Sequence, residues 1–258
     1  MGAGPGAVDL ITVRGWRLVR EADVIIYTGS LVNPDILKDA KSEARILNSA
    51  YMTLNEVMDV MIDADRQGLN VVRLHTGEPS IYGAVREQMD LLDEKGIAYA
   101  SCPGVSACFG AAADLNLEFT LPGVSQTLII TRIAGKTAVP RREQLKMLAA
   151  HKASMAIYLS AGMLGQVASE LIAGGISPDT PAALVYKATW PEEKKILCTV
   201  ETLERAGQEH GISATAVVLV GDAVSHTDYE KSRLYDPAFS TGFRKASEGG
   251  SIPEGPAR

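Results

Sequence analysis

Apolar residues recur along this chain in two patterns. Short runs rich in β-branched residues predict strands at Val24–Tyr27, Arg45–Asn48, Val71–His75, Tyr99–Cys102, Thr127–Thr131, Met155–Ser160, Ala182–Tyr186 and Ala216–Gly221. Between several of them the apolar spacing becomes helical. Leu54, Val57, Met58, Met61 and Ala64 share one face, as do Val85, Met89 and Leu92 ahead of the stop at Gly96, and Leu164, Val167, Ala168 and Leu171 ahead of Gly174-Gly175. Strands alternating with amphipathic helices predict an α/β fold with largely parallel sheets. Pro122-Gly123 divides the chain into an N-terminal α/β domain (1–122) and a C-terminal α/β domain (123–245). Residues 246–258, rich in Gly, Ser, Pro and charge, form a loose tail.

Composition narrows the class. The 258 residues, 46% hydrophobic and 22% charged, can bury a full core. A net charge of −6 disfavours nucleic acid and anionic membranes as partners, because both reward a basic surface. No apolar run spans a bilayer and no signal-peptide pattern opens the chain. Cys102, Cys108 and Cys198 are odd in number and lack a CxxC, which points away from a disulfide scaffold and towards a reducing cytoplasm. His75, His151, His210 and His226 have no metal-ligand spacing, so no metal site is expected. His75 beside an apolar strand reads as a core residue, and so do Cys102 and Cys108, which no charged sequence neighbour activates.

Candidate chemistry gathers where strands end. Gly2-Ala3-Gly4-Pro5-Gly6 is a glycine turn with no strand before it in the sequence; alone it is equally an ordinary turn. Thr76-Gly77-Glu78-Pro79-Ser80-Ile81-Tyr82-Gly83 follows a strand at the edge where open α/β sheets bind ligands. There Gly77 allows close backbone approach, Glu78 supplies an acceptor for a ribose hydroxyl or amino group, and Tyr82 offers an aromatic wall. Pro103-Gly104-Val105-Ser106-Ala107 leads into a helix of small residues, whose first N–H groups can reach a ligand; close helix–sheet packing explains it equally well. Arg132, Lys136, Arg141, Arg142 and Lys146 face the single acid Glu143, a local positive field suited to carboxylates or simply a solvated surface. Tyr186-Lys187-Ala188-Thr189-Trp190-Pro191 is either a packed tryptophan corner or a wall for a flat ligand.

Taken in order, these segments resemble the tetrapyrrole (corrin/porphyrin) methyltransferase family from Gly2 to about Lys245. Gly2–Gly6 with Asp9-Leu10-Ile11-Thr12 is similar to its G-x-G-P-G…D-L-x-T opening, Thr76–Gly83 to its G-D-P-x-x-Y-G loop, and Pro103–Ala107 to P-G-V-[ST]-[SA]. His75-Thr76-Gly77, Thr131-Arg132 and Tyr186–Pro191 resemble most the precorrin-4 C(11)-methyltransferase branch, in its aerobic and cobalt-containing forms. The resemblance implies two α/β domains with an active-site cleft between them, a cytoplasmic homodimer, and transfer of a methyl group from S-adenosylmethionine to ring carbon C-11 of a tetrapyrrole in cobalamin biosynthesis. It implies cofactor contacts at Pro5, Thr76, Gly77, Glu78, Ile81, Tyr82, Ser106, Ala107, Leu159 and Ala188. The macrocycle's carboxylates would meet Arg132, Lys136, Arg141, Arg142 and Lys187. No catalytic acid or base is assigned. Methylation at another tetrapyrrole position and tetrapyrrole binding without turnover stay open as alternatives. The sequence departs from the family at Glu78, where Asp is usual. It also lacks the family's strand upstream of Gly2, from which an earlier start of the reading frame is expected.

Overall fold

The computed structural model describes residues 1–225 and 229–246; the expected tail lies almost wholly outside these residues. The expected α/β class is what forms, built on two sheets. The first has three parallel strands, β1 (Val24–Tyr27), β2 (Arg45–Asn48) and β3 (Val71–Leu74), in the order β2-β1-β3. β1 is central and apolar on both faces, as a covered parallel strand must be. On one face Val24 and Ile26 pack under α2 (Leu54–Arg66) against Val57, Met58, Met61 and Ala64. On the other, Ile25 meets Val19 of α1 (Val13–Glu21) with Val72 and Leu74. Thr53 and Glu56 close a reciprocal capping box at the start of α2, and Gly96, left-handed at φ +68, ends α3 (Arg86–Lys95).

Tyr99–Cys102 is not a strand, contrary to the expectation. A strand needs a ladder, and this segment gains one rung. Met1–Ala3 runs beside β3, with the Met1 amino group donating to the Arg73 carbonyl (2.7 Å) and the Ala3 amide to that of His75 (2.7 Å). Only the Gly2 amide turns the other way, donating to the Cys102 carbonyl at 3.0 Å.

The second sheet contains β4 (Leu128–Arg132), β5 (Ser154–Tyr158), β6 (Pro181–Tyr186), β7 (Lys194–Thr199) and β8 (Ala216–Val220), in the order β4-β5-β8-β6-β7. The expectation of largely parallel sheets fails here. β4 and β5 are parallel, but the pairings β5–β8, β8–β6 and β6–β7 are antiparallel. β7 was not foreseen and explains part of this. It returns from β6 as an edge strand carrying Lys194 and Lys195, with Leu197 66% exposed, so it shows no buried apolar run.

The two faces of this sheet differ in bulk. Met155, Ile157, Leu184, Val218 and Val220 pack under α5 (Leu145–Ala149), α6 (Leu164–Ala173) and α7 (Leu203–Glu209). The opposite face offers Ala156, Ala183, Val185 and Leu219. These smaller side chains admit α4 (Ala107–Asp114) through Cys108, Ala111 and Ala112. α4 thus carries the loop that begins at Pro103 onto the second sheet and joins the two halves. Leu184 is fully buried at the centre of this core. Leu184→Ala is expected to lower the unfolding free energy by about 2–5 kcal/mol, read from urea denaturation.

Candidate functional site

Five loops meet at the carboxyl edge of the first sheet and the adjoining end of the second. The first contact is backbone on backbone. The Gly4 and Gly77 peptides pair, with Gly77 N–H donating to the Gly4 carbonyl at 2.9 Å. A Cβ on Gly2 would lie 2.3 Å from the Gly77 carbonyl oxygen, and one on Gly104 would lie 2.1 Å from the same atom. The backbones at Gly2 and Gly104 therefore meet the Gly77 peptide with no room for a side chain on either. Gly77 is also left-handed, at φ +59.

Glu78 ties two of the loops. Its carboxylate accepts from the Gly104 amide (2.8 Å) and from the Ser80 amide (2.9 Å). Burial raises its pKa, but these donors outweigh it and hold the group below the usual carboxylate value. Thr76 reaches sideways, its hydroxyl 3.1 Å from the Leu31 carbonyl and 3.3 Å from the Thr28 hydroxyl. His75 is buried and its pKa falls to about 3, through desolvation first and the neighbouring Arg73 charge second; it is a neutral core residue, as expected.

Ser106 stands at the N-cap position of α4 and is buried; its hydroxyl makes no capping bond and lies instead 2.8 Å from that of Tyr158 at the end of β5. The Tyr158 oxygen also accepts from the Cys108 amide at 2.7 Å; burial first, and the Cys108 thiol next, raise its pKa well above the ordinary value, against the lowering effect of the hydrogen bonds with Ser106 and the Cys108 amide. Tyr158 packs on Tyr82, ring centroids 5.9 Å apart. Leu159, next in sequence, is left-handed at φ +54 and 67% exposed.

The fifth loop, Lys187–Pro191, latches onto the first. Trp190 Nε1 donates to the Pro5 carbonyl (3.0 Å), and the Ala7 amide donates to the Thr189 hydroxyl (2.9 Å). A Cβ on Gly6 would lie 2.1 Å from the Trp190 ring, and one on Gly110 of α4 would press Pro5 and Thr189. Ala188 is buried within this junction.

The expected cofactor residues Pro5, Thr76, Gly77, Glu78, Ile81, Tyr82, Ser106, Ala107, Leu159 and Ala188 all lie on these loops. The expected cations are disposed differently. Arg132 donates to the carbonyls of Ile133, Thr137 and Ala138, pinning its own loop, and its charge reaches Tyr82. Lys187 lies 5.1 Å from the centre of the Trp190 ring and 3.5 Å from Glu192. Lys136, Arg141 and Arg142 are exposed. Tyr158 was not expected from sequence, although a polar residue closing an apolar strand at its carboxyl end was a usable signal.

Eight non-glycine residues among those described have positive φ, and Tyr82, Ala84, Leu159, Lys187 and Thr189 belong to these loops. Left-handed backbone at such residues is costly and persists where a site over-determines it. Together with the exposed Leu159 and Tyr82 and the Glu78 carboxylate, it fits a ligand with apolar and hydrogen-bonding parts. Glu78→Ala is expected to cost about 1–3 kcal/mol of unfolding free energy through two lost charge-assisted hydrogen bonds, measured by denaturant titration.

A model of the Tetrapyrrole (Corrin/Porphyrin) Methylases matches residues 1–204. The cobalt-precorrin-4 C(11)-methyltransferase of Methanocaldococcus jannaschii is 48% identical over 246 residues, covering 95% of each chain. The precorrin-4 C(11)-methyltransferase of Sinorhizobium sp. is 40% identical over 96% of this chain and 98% of its own. Among solved structures, a cobalt precorrin-4 methyltransferase superposes with a TM-score of 0.85 at 46% identity, covering 87% of this chain and 94% of that one. The uroporphyrin-III C-methyl transferase of Thermus thermophilus, solved with S-adenyl homocysteine, shares the fold at a TM-score of 0.72 and 24% identity, over 89% of this chain and 94% of that one.

Proposed function

The chain belongs to the tetrapyrrole (corrin/porphyrin) methylases, and from that membership we propose that it methylates ring carbon C-11 of precorrin-4 or its cobalt complex in cobalamin biosynthesis, with S-adenosylmethionine as donor. The observation that carries this reading is the latch between Pro5-Gly6 and Thr189-Trp190. It sets the segment that marks the precorrin-4 branch directly against the glycine loops.

The cofactor's sulfonium supplies an already activated methyl group. The chain's residues then have to bind, align and exclude water. Gly77, Ser106 and Ala107 bring backbone close to the cofactor, and Pro5, Ile81, Tyr82, Leu159 and Ala188 line it with apolar surface. Thr76 and Glu78 hold the loops in register as well as facing it. The macrocycle's carboxylates fall to Arg132, Lys136, Arg141, Arg142 and Lys187. Division at Pro122-Gly123, cytoplasmic residence and a homodimer belong to the same reading. The three unpaired cysteines support the compartment, and no helix among the described residues is long and apolar enough to cross a membrane.

Incubation with S-adenosylmethionine and each precorrin, followed by mass spectrometry, is expected to give one added methyl on precorrin-4 or cobalt-precorrin-4. Methylation of uroporphyrinogen III instead would move the chain to another branch, and ligand binding without any product would make it a binding protein. Arg132→Ala is expected to weaken macrocycle binding about tenfold or more while leaving S-adenosylhomocysteine binding nearly intact. Equal losses of both in calorimetry would remove Arg132 from the substrate site.

A further inference from the structure

The latch loop is held from behind by two acids that the proposed chemistry does not use. The Thr189 amide points at the Asp114 carboxylate (3.1 Å) and at the Glu193 carboxylate (2.5 Å), one donor shared between two acceptors. Asp114 closes α4 and is half-buried; Glu193 is 14% exposed and lies four residues beyond Thr189. Lys195 on β7 faces both, with its ammonium 3.3 Å from Glu193 and donating to the Asp114 backbone carbonyl at 3.2 Å. Lys187 and Glu192 on the loop pair with each other at 3.5 Å, and the segment Gly4–Ala7 packed on the far side carries no ionisable side chain. Two carboxylates thus face one ammonium and one amide. Two ionised carboxylates this close repel, and the arrangement is relieved when one proton lies between them.

We propose that Asp114 and Glu193 share one proton and act as a positioning pair, which through the Thr189 amide holds the left-handed turn Lys187–Thr189, and with it Ala188, in place for the cofactor. The inference rests on the cofactor reading of Ala188. Neither acid is a catalytic residue, since both lie behind the loop.

The groups' affinities for protons agree with this. Burial, and next the adjoining Glu193 carboxyl, pushes Asp114 up to about 6. Burial raises Glu193 too, but Asp114, the Thr189 amide and Lys195 together bring it below its ordinary value. With Asp114 raised, the seated loop keeps a proton that a free loop would lose near 3.8. The advantage of the seated loop therefore falls as pH climbs from about 4 to about 6, and is gone above that. With Glu193 lowered, the advantage is also lost as pH falls through the depressed value. The pair works best between these limits, and at neutral pH it is strained.

A structural acceptor and a proton-sharing pair make opposite predictions for Asp114→Asn. The asparagine oxygen still accepts from Thr189, and its amide donates permanently to Glu193, mimicking the protonated acid. S-adenosylhomocysteine binding by calorimetry between pH 5 and 8 is expected to weaken with rising pH in the unaltered chain. In Asp114→Asn it is expected to stay level, and at pH 7.5 to be about three- to tenfold tighter than in the unaltered chain. Asp114→Ala is expected to bind more weakly throughout. Weaker binding by Asp114→Asn at pH 7.5, or a slope parallel to that of the unaltered chain, overturns the proposal. If Asp114→Asn does not fold, Glu193→Gln carries the same expectation.

A ligand-free readout separates this from the cofactor reading. In a Trp16→Phe background, Trp190 fluorescence is expected to change between pH 4.5 and 7 and to lose that change when Asp114→Asn is added. Absence of S-adenosylhomocysteine binding at every pH would sink the cofactor reading while the fluorescence still tests the pair. A pH-independent Trp190 signal would sink the pair.

Discussion

The loop-bearing edge of this protein depends on peptide backbones that meet without side chains between them. Gly2, Gly77 and Gly104 come from three distant stretches of chain, and a Cβ on Gly2 or Gly104 would run into the Gly77 carbonyl. That contact fixes where the 76–83 and 103–107 loops lie relative to each other, and Glu78 then reaches from one to the Gly104 amide of the other. A close approach of this kind cannot drift as side-chain packing can, because the atoms concerned belong to the main chain and no rotamer change can open or close the contact. The positions of Ser106, α4 and, through Pro5 and Gly110, the latch loop all follow from it.

The second sheet transmits this geometry. Its alanine-lined face admits α4 at close range, and α4 presents Cys108 to Tyr158 at one end and Asp114 to Thr189 at the other. One short helix therefore sets both the Tyr158–Leu159 turn and the Lys187–Pro191 turn. Each of these turns holds non-glycine residues in left-handed conformations, whose cost must be met by surrounding contacts. The hydrogen bonds of Trp190 to Pro5 and of Ala7 to Thr189 supply part of that at one turn, and the Tyr158 hydroxyl network supplies it at the other.

Much of this was legible in the sequence where local physics dominates. β1 and β2 end where their apolar runs end, α2 is bounded by its capping box, and Gly96 stops α3 because only glycine enters φ +68 cheaply. The loops at strand ends were visible because glycine, proline and an acid coincide there. Two things were not legible, and both depend on partners far away in sequence. Tyr99–Cys102 has strand-like composition but only one rung to bind, and β7 has a ladder but the exposed, lysine-bearing face of an edge strand. Strand formation is decided by pairing more than by propensity. The positive field of residues 132–146 was legible as charge. The direction in which Arg132 spends that charge, on carbonyls of its own loop, appears only in the fold.

The ionisable groups nearest the loops are held in single states by their surroundings. His75 is neutral through desolvation, Tyr158 is kept protonated by burial, and Glu78 is kept ionised by two amides. None of them is poised to exchange a proton near neutral pH, which is what general acid–base chemistry requires. Such a site suits a reaction whose leaving group is already activated, where rate comes from alignment and exclusion of water. Asp114 and Glu193 stand apart from this pattern, and they lie behind the loop. Acid–base sensitivity in this protein is thus separated in space from the chemistry, and acts on the shape of the site without entering the bond-making step.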